Sequence, residues 1–196
     1  MLQKLNKIQY SKLIDIASTH DCGCVYPLSV AEGIQEGEIY TGSEGNYNKI
    51  LFLAQSGFAY LSGNIDEAFL SDIYDFMIAI SKTGDKRFLL MSKDEYVLDY
   101  FKGKKDIVME SRYLFQYTGK NNMIELPMEF ELKEINKELL TKINGIIVPS
   151  LFWKENYEFF KKGKGYCISC GDDVVSWAFS AAVSTKEIDI GIETII

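Results

Sequence analysis

GKGYCISCGDDVVSWAFSAAVSTKEIDIGIET, residues 163–194, reads as three β-strands joined by two turns. The first strand, residues 166–170, is short and mostly apolar, and the second, residues 174–183, is rich in Val, Trp, Phe and Ala. The turn at 171–173 is Gly-Asp-Asp, in which glycine takes positive φ at little cost and aspartate bonds to its own backbone. A second turn, at 184–186, leads into the third strand, so the stretch predicts three consecutive strands.

The third strand alternates strictly between apolar and polar positions. Because successive side chains of a strand point to opposite faces, its isoleucines share one face and its acidic residues share the other. We expect the isoleucine face to pack on a core. We expect the glycine of the other face to let a backbone or a ligand approach closely. The first face carries Ile188, Ile190 and Ile192, and the second carries Glu187, Asp189, Gly191 and Glu193.

Several segments resemble the GNAT acetyltransferases (GCN5-related N-acetyltransferases), in particular a bacterial two-domain branch of that family. They are EIDIGIET at 187–194, GKGYC at 163–167, VSWA at 175–178, VYPLSVAEG at 25–33 and GFAYLSG at 57–63. The resemblance implies transfer of an acetyl group from acetyl-CoA to a primary amine of a small molecule. The alternative is a non-catalytic ligand-binding or protein-interaction module that kept the fold.

In this family the strand that resembles residues 187–194 is the fourth of the sheet, and its backbone holds the pantetheine arm of acetyl-CoA. The resemblance therefore implies cofactor contacts at Ile192, Glu193 and Thr194. A Gly/Arg-rich pyrophosphate loop is expected next, and the sequence ends before it, at Ile196. We therefore expect a catalytic domain that is truncated in this chain.

Acetyl transfer to an amine requires a base, because the attacking nitrogen must lose a proton. Glu193 lies on the polar face of the strand that the resemblance places against the cofactor, and we predict that it is this base, directly or through a water. The alternative for Glu193 is a solvated carboxylate on a half-exposed sheet. Asp189 lies further back on the same face and is expected to be structural.

Composition excludes some classes of partner. The net charge of -7 disfavours nucleic acid, because binding to phosphates requires clustered Lys and Arg. The sequence contains no run of the roughly 18 apolar residues that cross a bilayer. The N-terminus mixes charged and apolar residues and lacks the cleavage signature of a signal peptide. We therefore predict a cytoplasmic protein with reduced thiols and no membrane partner.

Turn-forming residues at 118–123 (TGKNNM) predict a boundary between an N-terminal α/β domain, residues 1–122, and a partial GNAT domain, residues 123–196. The fold class is α/β (α+β): the second part begins a GNAT-like mixed sheet with flanking helices. Its expected order is strand, helix, helix and three strands, with one aromatic-rich helix at 151–162. The first part is predicted to include a helix at 66–82 and a strand at 106–116. It also fits a degenerate GNAT-type sheet, which requires a parallel strand pair flanking that helix.

Other reactive residues favour structural roles. Cysteines 167 and 170 lie three apart on a strand and therefore face opposite ways, which disfavours a shared zinc ion. His20 and Cys22 are too close in sequence to converge as a nucleophile and base. We therefore predict no metal site, loop thiols at Cys22 and Cys24, and small buried hydrophobic residues at Cys167 and Cys170. The aromatic residues of the helix at 151–162 either pack in the core or line an acceptor cleft. They are Trp153, Tyr157, Phe159 and Phe160.

A sheet that ends on its fourth strand leaves an edge with unpaired N–H and C=O groups. Three arrangements satisfy such an edge. The natural chain continues beyond residue 196, the N-terminal domain covers the edge, or the edge at 187–194 pairs with a second copy to form a homodimer.

Overall fold

The structure, a computed structural model, describes residues 1–43, 46–84, 87–119 and 125–195. Within those residues the chain forms two β-sheets with helices packed between and around them. The mixed α/β class predicted from the sequence is therefore confirmed. The predicted boundary between residues 122 and 123 lies outside the described residues, so the division into two domains stays a prediction.

The N-terminal sheet has five strands in the order β1-β2-β3-β4-β5. Its strands are β1 Gln3–Lys4, β2 Gly37–Ser43, β3 Asn46–Ala54, β4 Phe58–Gly63 and β5 Leu89–Met91. Neighbouring strands are antiparallel except β4 and β5, which are parallel and pair Phe58 with Leu89. This parallel pair is the arrangement that a degenerate GNAT-type sheet requires.

Helix α3, Glu67–Thr83, connects the two parallel strands. Asp66 caps it by accepting a hydrogen bond from the N–H of Phe69, and Gly84 ends it in the left-handed conformation with φ of 70°. Phe69, Leu70 and Ile73 form its buried face. The helix predicted at 66–82 is therefore confirmed to within one residue at each end. The signals that begin and end it lie in the local sequence, which is why the sequence alone predicts it.

Helix α2, Val25–Ala31, lies between the two sheets and contacts both β3 and the second sheet. Every residue from Tyr26 to Ala31 is buried. A 3-10 helix at Lys7–Leu13 and helix α1, Ile14–Ala17, pack beside it. Helix α4, Glu95–Phe101, packs on α3 and is capped by Asp94. The N–H of Asp94 donates to the hydroxyl of Ser92.

The second sheet has four antiparallel strands in the order β6-β7-β8-β9. Its predicted order of strand, helix, helix and three strands is confirmed, and Gly171, with φ of 59°, forms the predicted turn. The elements are β6 Phe130–Glu134, α5 Lys137–Lys142, the 3-10 helix Pro149–Leu151, α6 Asn156–Lys162, β7 Gly165–Cys170, β8 Asp173–Val183 and β9 Ile188–Thr194.

Two predicted elements are wrong. Residues 106–116 form no strand, because this segment pairs with none of the described strands. Its side chains, such as those of Tyr113 and Phe115, are exposed. The helix predicted at 151–162 begins only at Asn156. The chain turns before it, and the indole N–H of Trp153 donates a 2.8 Å hydrogen bond to the carbonyl of Ser180 in β8.

One hydrophobic core joins the two sheets, since residues of both belong to the same buried cluster. Gln35 connects them by hydrogen bonds as well. Its amide nitrogen donates to the carbonyl of Ala181 at 3.0 Å, and its oxygen accepts the N–H of Val183 at 3.0 Å and the hydroxyl of Ser29 at 2.9 Å. Among the described helices, none has the length and apolar character that crossing a membrane requires.

Candidate functional site

The prediction that the isoleucine face of β9 packs on the core is wrong, and the other face of the strand packs there instead. Ile188, Ile190 and Ile192 are 58%, 58% and 61% exposed, whereas Gly191 is buried. The reason is space: a Cβ added at Gly191 would lie 2.8 Å from the ring of Phe179 on β8. Phe179 therefore fills the volume beneath β9 that isoleucine side chains would need, and the polar face turns inward.

Glu193 lies on this inward face and holds a loop. Its two carboxylate oxygens accept the backbone N–H groups of Ile146 and Ile147 at 3.0 and 2.7 Å. Trp177 fixes the same loop from β8, since its indole N–H donates to the carbonyl of Ile147 at 2.7 Å. Gly145 allows this close approach, because a Cβ there would lie 2.4 Å from the Glu193 carboxylate. Each carboxylate oxygen keeps a further lone pair for a water or an amine.

The backbone of β9 has one paired edge and one open edge within the described sheet, where it is the last strand. The N–H of Ile195 donates to the carbonyl of Val175 at 2.8 Å. Pairing alternates along an antiparallel ladder, so the N–H and C=O groups of Ile192 and Thr194 point away from β8. These two predicted cofactor residues therefore offer unpaired backbone groups along the same open edge.

Asp189 connects β9 to helix α2. The hydroxyl of Tyr26 donates to Oδ2 of Asp189 at 2.7 Å. Burial raises the pKa of Asp189, although the Tyr26 hydrogen bond, the N–H of Ile190 and the charge of Arg112 act in the opposite direction. Burial also raises the pKa of Tyr26 strongly, so the phenol stays a neutral donor. A half-buried carboxylate is thus held at the junction of the two sheets.

The prediction that His20 and Cys22 do not converge is wrong, because His20, Asp21 and Cys22 bring their ligand atoms within 4.8 Å of one another. The hydrogen bonds of His20 nevertheless disfavour a metal. One ring nitrogen of His20, Nε2, lies 2.9 Å from the carbonyl of Leu61, and the other accepts the N–H of Cys22 at 3.2 Å. A neutral imidazole with a proton on Nε2 satisfies both contacts. Burial raises the pKa of Cys22 to about 11, which keeps it a thiol and a poor nucleophile.

The second cysteine pair and the aromatic residues have mostly structural roles. Cys167 is buried, as predicted, whereas the prediction of a buried Cys170 is wrong, because its position on the strand faces the opposite way and is exposed. Trp153 and Phe159 are core residues, whereas Tyr157 is exposed. A groove of about 450 Å³ is lined by the N-terminal strands, Lys154 and Arg87, and none of the predicted site residues lines it.

Tyr26 is the site residue that sequence reasoning missed. It lies 163 residues from Asp189 along the chain, so no local spacing could link the two. Its only signal was its position inside the VYPLSVAEG segment at 25–33. An aromatic stack accompanies the bond: the Tyr26 and Phe58 ring centroids are 4.8 Å apart, and Tyr60 lies 6.1 Å from Tyr26.

Comparison with known proteins identifies a matching family model, a similar sequence and a similar structure. A family model described as GNAT acetyltransferase matches residues 20–196. The uncharacterized N-acetyltransferase YdfB of Bacillus subtilis strain 168 is 24% identical over 206 residues, covering 100% of this chain and 77% of YdfB. A GCN5-related N-acetyltransferase-like protein from Streptococcus suis 89/1591 has a similar fold, with a TM-score of 0.65 and 18% identity over 97% of this chain and 77% of that protein.

Proposed function

This chain belongs to the GNAT acetyltransferase family and is an N-acetyltransferase, and from that membership we propose that it transfers the acetyl group of acetyl-CoA to a primary amine of a small molecule. The observation that carries the proposal is the open edge of β9. There Ile192 and Thr194 offer backbone donors and acceptors in an extended row. Pantetheine is an extended chain with two amide groups, and such a chain can add to a sheet edge as an extra strand does.

The chemistry assigns a separate role to the inward face of β9. The acceptor nitrogen attacks the thioester carbon, a C–N bond forms, the C–S bond breaks, and the CoA thiolate leaves. The nitrogen loses one proton in this process, and we propose Glu193 as the group that receives it, through a water. The free lone pairs of its carboxylate support this role, because the two loop N–H groups occupy only one position on each oxygen.

Calorimetry with acetyl-CoA tests the cofactor site directly. Proline at residue 192 removes an outward N–H and leaves the bonds to β8 intact, so Ile192→Pro should weaken acetyl-CoA binding about tenfold. Ile192→Ala is the matched control, since it keeps the backbone N–H and removes only an exposed side chain. Equal losses in both variants would contradict the assignment, and no heat at millimolar acetyl-CoA would favour the non-catalytic module.

A homodimer through the edge at 187–194 is a second proposal, favoured by the exposed isoleucine face of β9. Paired edges would give one continuous sheet across two copies. The same edge cannot pair with a second copy and hold pantetheine at once. Acetyl-CoA should therefore shift such a dimer towards monomer in analytical ultracentrifugation, and a chain that is monomeric at high micromolar concentration would exclude the dimer.

We also propose a cytoplasmic location. Four cysteines are present, and all four are free thiols, as a reducing compartment maintains them.

A further inference from the structure

The chain contains only two arginines among its 21 basic residues, and both lie over the same aromatic ring. The guanidinium carbon of Arg87 is 5.5 Å from the centroid of Phe58, and that of Arg112 is 5.2 Å from it. Arg87 precedes β5, whereas Arg112 belongs to the irregular segment after α4. Residues 25 positions apart and in different elements therefore converge on one residue at the start of β4.

Neither arginine has a closely paired acidic partner among the described residues, although the charge of Arg112 acts at longer range on the half-buried carboxyl of Asp189. Neither arginine forms a salt bridge there, although the chain has 28 acidic residues. Partial desolvation lowers the pKa of Arg87, and the charge of Arg112 lowers it further. Two like charges are thus held near each other on an apolar surface, at an electrostatic cost that a bound anion would remove.

A hydrogen bond holds Arg87 in place and leaves its charge open to solvent. The Nε of Arg87 donates to the carbonyl of Ser56 at 2.8 Å, which fixes the plane of its guanidinium. Both side chains stay exposed to solvent. The hydroxyl of Ser56 is buried and has no partner among the residues that the structure describes, so a further unpaired donor lies next to Arg87.

Stacking on an aromatic ring explains one arginine but not two. A guanidinium stacks on the face of a ring better than an ammonium does, which accounts for part of the choice of arginine. Arginine is distinguished by its planar fork of donors, which binds carboxylate and phosphate oxygens in a bidentate manner. A chain that uses lysine everywhere else and places both arginines on Phe58 therefore has the side chains that an oxyanion requires at one point.

We propose that Arg87 and Arg112 together bind an oxyanion, a carboxylate or a phosphate, carried by the acceptor amine. This inference rests on the proposed acetyl transfer. Phe58 packs against Tyr26, whose hydroxyl donates to Asp189 on β9, so two residues connect the arginine pair to the strand that is proposed to hold the cofactor. The acceptor class is then an amine with an acidic group, such as an amino acid or a phosphorylated amine.

Anion binding in the absence of acetyl-CoA tests the pair without depending on catalysis. The probes are inorganic phosphate and succinate, titrated by NMR at constant ionic strength against chloride. Arg112→Ala should abolish the saturable shifts, and Arg112→Lys should weaken binding at least fivefold because lysine lacks the planar fork. Lys105→Ala removes an exposed charge near the same segment and should leave binding unchanged. Saturation by only one of the two probes identifies which oxyanion the site takes.

Three results would overturn the proposal. They are equal binding in Arg112→Ala and the wild type, equal losses in Arg112→Ala and Lys105→Ala, and no saturable binding of either probe. The last two would leave the arginines with a packing role only. A transfer assay with glycine, O-phosphoethanolamine and ethylamine then separates the two proposals. A chain that binds anions through Arg112 but acetylates no amine keeps the oxyanion site and loses the proposed transfer.

Discussion

The hydroxyl of Tyr26 and the carboxylate of Asp189, 2.7 Å apart, join a helix between the sheets to the strand that carries the predicted site. Tyr26 is 9% exposed and Asp189 is half-buried, so water competes only weakly for this bond. The bond fixes β9 relative to α2, and through α2 relative to the N-terminal sheet. It is therefore the most direct point at which to test how the two sheets are coupled.

Tyr26→Phe should lower the free energy of unfolding by about 1–3 kcal/mol, because it leaves the Asp189 carboxylate without its side-chain donor. Urea unfolding followed by fluorescence measures this difference. Tyr157→Phe is the control, since Tyr157 is 66% exposed and its substitution should cost little. Equal free energies for the two variants would show that the Tyr26–Asp189 bond does not stabilise the fold.

Asp189→Asn should make the stability of the chain less dependent on pH. Burial raises the pKa of Asp189 above its ordinary value of 3.8, so between these two values the folded chain keeps a proton that the unfolded chain has lost. The stability of the wild type must therefore fall as pH rises through that interval. Asparagine removes this loss and still accepts the Tyr26 hydroxyl.

The measurement is urea unfolding of the wild type and Asp189→Asn at several values between about pH 4 and 7. The stability of the variant relative to the wild type should grow with pH and then level off. A difference that stays constant over the range would show that the Asp189 carboxyl has the same pKa in both states.

Gln35→Ala should destabilise the chain by roughly 2–3 kcal/mol, because it leaves the N–H of Val183 and the carbonyl of Ala181 without their partner at the junction of the sheets. Thermal and urea unfolding both report this change. Gln116→Ala removes the same atoms from an exposed position and should be nearly neutral. Two variants of equal stability would mean that the apolar core alone couples the sheets.

Gly191→Ala should cost about 1–3 kcal/mol through overpacking, since the new methyl group would lie 2.8 Å from Phe179 and 3.3 Å from Ile147. Ile190→Ala is the control on the exposed face of the same strand, and its effect should be small. Calorimetric unfolding compares the two. If Ile190→Ala were the more damaging substitution, the isoleucine face of β9 would be packed and not exposed.

Glu193→Gln should lower turnover by about a hundredfold and shift the pH–rate profile, if Glu193 receives the acceptor proton. Glutamine can accept only one of the two loop N–H groups, so the stability of the variant must be measured alongside its activity. Glu134→Gln, on an exposed position of β6, controls for loss of charge. An unchanged pH profile in Glu193→Gln would exclude Glu193 as the base. Its role would then be limited to its contact with the loop at 146–147.

Local signals in the sequence predicted the order of the elements well. The Asp66 cap, the Gly84 end of α3 and the Gly171 turn act within a few residues, so a single sequence contains all the information they need. The alternation of residues 187–194 correctly predicts a strand, but the prediction of which face of that strand packs on the core is wrong. The pattern states which side chains share a face, whereas Phe179, on the neighbouring strand, decides which face has room in the core.

The site depended on contacts that no local pattern contains. Tyr26 and Asp189 meet across 163 residues, and Arg87 and Arg112 meet on Phe58 from separate elements. The prediction of a strand at 106–116 is wrong for a related reason. It contains two apolar runs, at 107–109 and 113–115, but a strand also needs a neighbour, and none of the described strands pairs with it.

The shared core has a consequence for the integrity of the chain. Residues 108–119 form an exposed, irregular part of the connection between the two sheets that a protease can reach, yet the buried cluster and Gln35 hold both sheets together from within. Cleavage in this segment should therefore leave two fragments that stay associated without a covalent link. Either fragment made separately would bare the apolar surface that the other normally covers, and the two should regain structure only when mixed.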